Sequence, residues 1–245
     1  EEMFIAAGAP KGVYKNLLVA GKDIDSIVEN SKIVGVSLTG SEAAGALVAS
    51  LAGQNIKHSV LELGGSDPMI VLDDADIEKV MNGTINGRLR NAGQACTSSK
   101  RIIVQEGIYD EYLKQITAYV NNMKVGDPTQ ADTNMGPVSS ESALEKLLDQ
   151  INQSVEKGAK IVSGGKRIDR DGFFLEPTIL TEIEPGMKAY DEEIFGPVVC
   201  IWKVKDTEEA LKIANDTPFG LGASIYTENV EYAQKLARRV DSGMV

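Results

Sequence analysis

Lys32–Leu63 reads K-I-V-G-V-S-L-T-G-S-E-A-A-G-A-L-V-A-S-L-A-G-Q-N-I-K-H-S-V-L-E-L, and its character changes twice. Ile33, Val34 and Val36 are β-branched and apolar, so Lys32–Leu38 predicts a buried strand. Thr39-Gly40-Ser41 turns the chain, Ser41 caps a helix and Glu42 adds an acidic first-turn residue. The alanine-rich Glu42–Ala52 predicts a helix that packs closely on a sheet, ended by Gly53. Ser59–Leu63 predicts the next strand. Strand, helix and strand in this order are the βαβ rhythm of an α/β fold with a parallel sheet. Strands covered on both faces are largely apolar, as these are.

The same rhythm extends outward. Toward the N-terminus, Asn16–Ala20 reads as a short strand and Asp25–Asn30 as a short helix. Beyond Gly64-Gly65, strands are predicted at Met69–Leu72, Lys100–Gln105, Lys160–Ser163, Val198–Val204 and Ala223–Tyr226. Helices are predicted from about Ile77 to Asn91 and over Tyr109–Met123, Ser140–Lys157, Thr207–Asn215 and Val230–Val240. Phe173–Ile183 reads as extended and interrupted by proline. The glycine pair after Glu62 suggests a boundary, with domains at 1–64 and 65–245.

Composition narrows the function. The 245 residues carry a formal net charge of −11 without a basic stripe, which disfavours nucleic-acid binding. No apolar run approaches the length of a membrane span, and no basic-then-apolar leader opens the sequence. Two cysteines do not make a disulfide framework, so a reducing, cytoplasmic setting is expected. With His58 as the only histidine, His-based zinc sites and Ser-His-Asp catalysis are effectively excluded, and no metal site is expected. Asp73, Asp74 and Asp76 precede a helix and read as caps, without the ligand spacing of a calcium loop.

Two stretches stand out chemically. Leu89–Lys100 reads L-R-N-A-G-Q-A-C-T-S-S-K, and Leu61–Pro68 reads L-E-L-G-G-S-D-P. Cys96 follows small and polar residues that leave room for a ligand. A thiol there is either a nucleophile or an inert buried cysteine. Cys200, in V-V-C-I-W, reads as core. Alternation points Glu62 away from Leu61 and Leu63. At the C-terminal end of a parallel strand it would face the usual ligand crevice, where desolvation favours a base. An ion pair or an edge position is the competing reading. Ser41 sits where free helix N–H groups hold a pyrophosphate, although G-x-G-x-x-G is absent. Glu193-Ile194-Phe195-Gly196-Pro197 sets a carboxylate beside an aromatic, suited to a ribose and a flat ring or to a solvated loop.

Taken together, Leu61–Gly65, Gly93–Cys96, Glu193–Pro197 and Phe219-Gly220-Leu221 resemble the NAD(P)-dependent aldehyde dehydrogenase superfamily over essentially the whole chain. Gly64–Pro68, Arg90–Cys96 and Ser99-Lys100-Arg101 look most like bacterial succinate-semialdehyde dehydrogenases. The resemblance implies the C-terminal part of a Rossmann-like cofactor domain followed by an α/β catalytic domain. It implies Cys96 as nucleophile and Glu62 as the base that activates water. NAD or NADP would be held by Ser41, Leu63, Gly64, Glu193 and Phe195. Arg90 would clamp the distal carboxylate of a small aldehyde substrate, unless it serves a salt bridge on its own helix. Ala95 and Thr97 flank Cys96, so the paired thiol of some relatives is absent. Family members of full length are about twice as long and assemble as homodimers or homotetramers. The chain therefore reads as an internal piece of one, truncated at its C-terminus, with inactivity in isolation as an expectation. Competing expectations are a broad aliphatic aldehyde dehydrogenase, and an incomplete piece with cofactor-independent esterase activity or a binding role.

Overall fold

Gly35–Thr39 (β1) and His58–Glu62 (β2) pair in parallel, joined by helix α3 (Glu42–Gln54). The computed structural model describes residues 1–245, which form two compact units, Glu1–Leu63 and Gly64–Val245. The first unit also holds the short helices α1 (Glu2–Ala6) and α2 (Ile24–Glu29). Its strands differ from expectation. They alternate between exposed and half-buried residues, and Val34 is exposed. Asn16–Ala20 forms no strand, because β1 and β2 pair only with each other and Leu18 lies in solvent. Helix α3 passes through Gly53, and the turn falls instead at Ile56, in left-handed backbone.

The second unit is built on a six-stranded sheet. Its elements are β3 (Pro68–Val71), α4 (Ile77–Thr84), β4 (Arg101–Gln105), α5 (Glu106–Asn121), α6 (Glu141–Glu156), β5 (Lys160–Ser163), β6 (Thr178–Thr181), α7 (Lys188–Asp191), β7 (Val198–Val204), α8 (Thr207–Asn215), β8 (Ser224–Tyr226) and α9 (Val230–Ala237). The strand order is β5-β6-β7-β4-β3-β8. All neighbours run parallel except β5, which lies antiparallel to β6 at one edge. The sheet is therefore mixed rather than purely parallel.

Side-chain alternation explains why both faces are covered. Ile102, Val104, Val199 and Ile201 turn to one face and pack with Val80 of α4 and Tyr112, Ile116 and Val120 of α5. Ile103, Val198, Cys200 and Trp202 turn to the other, against Leu144, Leu147 and Ile151 of α6 and Ala210 and Leu211 of α8. The result is a helix–sheet–helix sandwich. No helix is long and apolar enough to cross a membrane.

One element departs sharply from its reading. Asp76 caps α4 by accepting from the Glu78 and Lys79 amides. The α-helix then ends at Thr84 instead of near Asn91. One turn of π-helix follows over Ile85–Leu89, and Asn91, Ala92 and Gly93 adopt left-handed backbone in succession. Such π turns concentrate at functional sites.

Candidate active site

Cys96 lies just beyond Ala92, on the loop that the left-handed turn creates. Asn91 and Ala92 hold φ near +53° and +52°, a conformation that costs an L-residue roughly 1–2 kcal/mol. Strain of this kind persists only where the surroundings over-determine it. Gly93 supplies part of that constraint. Its φ is +71°, and a Cβ there would overlap the Gly196 carbonyl. The Cys96 loop is thereby seated directly on the Glu193–Pro197 loop.

Two buried cations complete the seating. Arg88 is fully buried and has no carboxylate partner. Its guanidinium donates to the Gly93 carbonyl (3.2 Å) and the Ser98 hydroxyl (3.0 Å) on one loop. It also donates to the Ile194 (2.9 Å) and Val198 (2.7 Å) carbonyls on the other. Burial lowers its pKa to about 10, opposed by Cys200 and Glu193. Lys100 is equally buried. Its ammonium donates to the Ala95 carbonyl (2.7 Å) and the Cys96 carbonyl (3.0 Å) and pairs with Glu193 Oε1 (3.1 Å). Burial lowers the Lys100 pKa as well, and the Glu193 charge resists that shift.

Glu193 Oε1 also accepts the Gly65 amide at 3.2 Å. A Cβ on Gly64 would lie 2.6 Å from Glu193 Oε2, and one on Gly65 would lie 2.7 Å from the Cys96 carbonyl. The two glycines thus let backbone, carboxylate and Cys96 loop approach within van der Waals limits. Phe195 is exposed beside this cradle, its ring centroid 5.8 Å from the Lys100 ammonium. Asp67 accepts the Gly222 amide at 3.1 Å, which ties the loop after Phe219 to the start of β3. Burial raises the Asp67 carboxyl above the usual range, opposed first by that amide.

The second unit therefore brings together Gly64, Cys96, Glu193 and Phe195. Cys96 is half-buried, whereas Cys200 is wholly enclosed on β7, where burial pushes its thiol up to about 12. Arg90 is exposed and makes no ion pair, so the alternative of a helix salt bridge fails. The cation turned inward at this point is Arg88. Ser41, Glu62 and Leu63 belong to the first unit. Ser41 caps α3, its hydroxyl accepting the Ala44 amide at 3.3 Å, and Leu63 packs against Gly45. Glu62 ends β2, its carbonyl accepting the Gly40 amide, and the residue is exposed. Sequence reasoning does not single out Arg88 or Lys100. Their only signal is a basic residue on either side of the cysteine, within the same short stretch.

The whole chain, residues 1–245, matches the aldehyde dehydrogenase family. It is 44% identical over 245 residues to the succinate-semialdehyde dehydrogenase [NADP(+)] of Deinococcus radiodurans, covering all of this chain and 51% of the relative. It is 42% identical over 244 residues to a probable succinate-semialdehyde dehydrogenase [NADP(+)] of Synechocystis, covering all of this chain and 54% of that protein. The structure superposes with a TM-score of 0.95 on succinic semialdehyde dehydrogenase from Streptococcus pyogenes, crystallised with NADP+. That match is 42% identical and covers 99% of this chain and 53% of the other. The chain spans about half the length of these relatives. A Cys96 loop seated on a Glu193–Phe195 loop, where the chain enters the central strands β4 and β7, is thus carried by a chain that belongs to the aldehyde dehydrogenase family.

Proposed function

We propose that the chain carries the thiol half of an NAD(P)-dependent dehydrogenase that oxidises succinate semialdehyde to succinate. The observation that carries this reading is the half-buried Cys96 on a strained loop, held by Lys100 against a carboxylate whose Oε2 accepts no hydrogen bond within its own unit. Gly64 and Gly65 allow the Glu193 carboxylate and the Cys96 carbonyl to approach the backbone, where a Cβ would clash, which fixes the carboxylate beside the Cys96 loop. In this reading Glu193 holds the nicotinamide ribose and Phe195 lies beside the ring. Leu63, Gly64 and the Ser41 helix start hold the remainder of the cofactor. The first unit is then the C-terminal part of a cofactor domain and the second a catalytic domain.

The chemistry follows from the residues. The Cys96 thiolate adds to the aldehyde carbon, forming a C–S bond and moving the carbonyl π electrons onto oxygen. The backbone N–H of Cys96, with an asparagine side chain from outside this chain, holds that oxyanion. A nicotinamide held by Glu193 and Phe195 would supply the hydride acceptor, and loss of hydride from the carbon would leave a thioester on Cys96. Glu62 takes a proton from water as the water attacks this thioester. The C–S bond breaks, the thiolate is restored and the acid leaves. Arg90, exposed and free of ion pairs, is suited to clamp the distal carboxylate.

The test is NAD(P)H formation from succinate semialdehyde and from propanal, with NADP+ first because the relatives' names carry it. It is run on the 245-residue chain and on the longest natural polypeptide that contains it. Turnover that is lost with Cys96→Ala, together with a preference for the semialdehyde that is lost with Arg90→Ala, supports the reading. Equal rates with both aldehydes remove the Arg90 assignment. Cofactor-independent ester hydrolysis alone removes the dehydrogenase.

A further inference from the structure

We infer that Lys100 is a positioning residue that couples the cofactor-facing carboxylate to the nucleophile loop. An ammonium has three N–H donors. The three closest acceptors are the Ala95 carbonyl at 2.7 Å, the Cys96 carbonyl at 3.0 Å and Glu193 Oε1 at 3.1 Å, with the Ser98 carbonyl farther off at 3.5 Å. Two of those acceptors belong to the loop that presents the thiol. The third belongs to the side chain that, in the proposed function, grips the ribose. The inference rests on that reading for the identity of the ligand, but not for the geometry.

Three features make this a coupling device rather than ordinary packing. The Lys100 side chain is 1% exposed, against 21% for Glu193, so no water shell softens the link. Glu193 Oε1 is committed to Lys100 and the Gly65 amide, which turns Oε2 toward the Gly64 backbone and fixes where a ligand hydroxyl must come. Gly65 packs against the same Cys96 carbonyl that Lys100 holds. A displacement of Glu193 therefore reaches Cys96 most directly through the Lys100 nitrogen, the one polar link, with the Gly65 backbone as a packing contact beside it. A methionine of similar length keeps the apolar stem but leaves two carbonyls and a carboxylate without their donor. An arginine keeps the charge, but its planar fork does not reproduce three convergent donors.

The experiment is a double-mutant cycle with K100M and E193Q in the complete polypeptide. It has two readouts, NADP+ affinity and the rate of Cys96 alkylation by iodoacetamide without cofactor. Each single change is expected to weaken NADP+ binding about tenfold, as loss of a charged hydrogen bond does. The double variant should be no weaker than the worse single one, because both remove the same link. K100M should raise the KM for cofactor while leaving that for the aldehyde in place. Alkylation of Cys96 should slow about fivefold in both single variants, with K100R between K100M and the parent. Independent effects that multiply to about a hundredfold would overturn the coupling. So would K100M with both readouts within about twofold of the parent. If the parent binds neither NADP+ nor NAD+, the dehydrogenase reading fails and the alkylation arm still decides the role of Lys100. If K100M does not fold, E193Q decides, because an unchanged alkylation rate there removes the link.

Discussion

The loop from Asn91 to Lys100 and the strand β7 each carry one of the chain's two cysteines, and they solve the same problem in opposite ways. In β7, the strand lies in parallel register between β4 and β6, Arg88 takes only the carbonyl of its first residue, Val198, and every side chain but Lys203 is buried. Regular pairing needs no special residue, and Cys200 there is a small apolar filler. The loop has no ladder. Its carbonyls at Gly93 and Cys96 are paired by Arg88 and Lys100, and that of Ala95 by Lys100 together with the Ser98 amide. Buried cations thus replace backbone amides and leave Cys96 half-open. What separates the two cysteines is less the residue itself than how the carbonyls around it are satisfied and how far it is enclosed.

The largest effect that tests this contrast is thiol selectivity. Cys200 reacts only when the second unit opens, because it is inaccessible and burial pushes its thiol up to about 12. At opening free energies of several kcal/mol, Cys96 should label at least ~1,000-fold faster at about pH 8. Mass spectrometry of timed iodoacetamide quenches measures the ratio. Comparable rates would mean that β7 opens readily. Next comes Arg88→Met, which strands the Ile194 and Val198 carbonyls at the entry to β7 and the Gly93 carbonyl of the loop. A loss of about 4 kcal/mol in urea unfolding is expected, since a buried network loses its cation. Gly93→Ala acts on the loop alone. It forces a Cβ into the Gly196 carbonyl at positive φ and should cost about 3 kcal/mol. If Gly93→Ala were neutral, the docking of the two loops would not be a constraint.

Much of β7's side of the contrast is legible in the sequence, and little of the loop's. Val198–Val204 can be read to its limits because a fully buried strand is a continuous apolar run. Thr207–Asn215 reads equally well, with Asp206 accepting the Glu209 amide at its start. The end of α4 escapes sequence reading because Asn86–Ala92 contains no proline, and Leu89, Arg88 and Arg90 all favour helix. What ends the helix is tertiary: Arg88 is drawn inward to acceptors on the Cys96 loop and on the approach to β7. No local propensity encodes that. The motif residues Cys96 and Glu193 are found by resemblance, but periodicity does not say which of Arg88, Arg90 and Lys100 is buried. Asn16–Ala20 fails for the converse reason, since an apolar run becomes a strand only where a neighbour offers a ladder.

The smallest effect falls at the seam between the two regions. The Asp67 carbonyl accepts the Arg101 amide, and Arg101 is the register partner of Cys200. A Cβ on Gly65 would contact both the Asp67 carboxylate and the Cys96 carbonyl. Burial raises the Asp67 pKa, so the fold favours its neutral form. The stabilising contribution of that form is complete below the ordinary carboxylate range and is lost as pH rises through the raised folded value. An asparagine in its place would keep an oxygen for the Gly222 amide without ionising. Asp67→Asn should therefore gain on the parent as pH rises from about 4 to about 7, by about 1 kcal/mol or less because Lys100 and Arg101 already offset part of the charge. Urea midpoints of both proteins across that range measure it. A gap that stays constant with pH would show that the Asp67 carboxylate is ionised at no cost, and that the buried cations serve the carboxylate as well as the loop carbonyls.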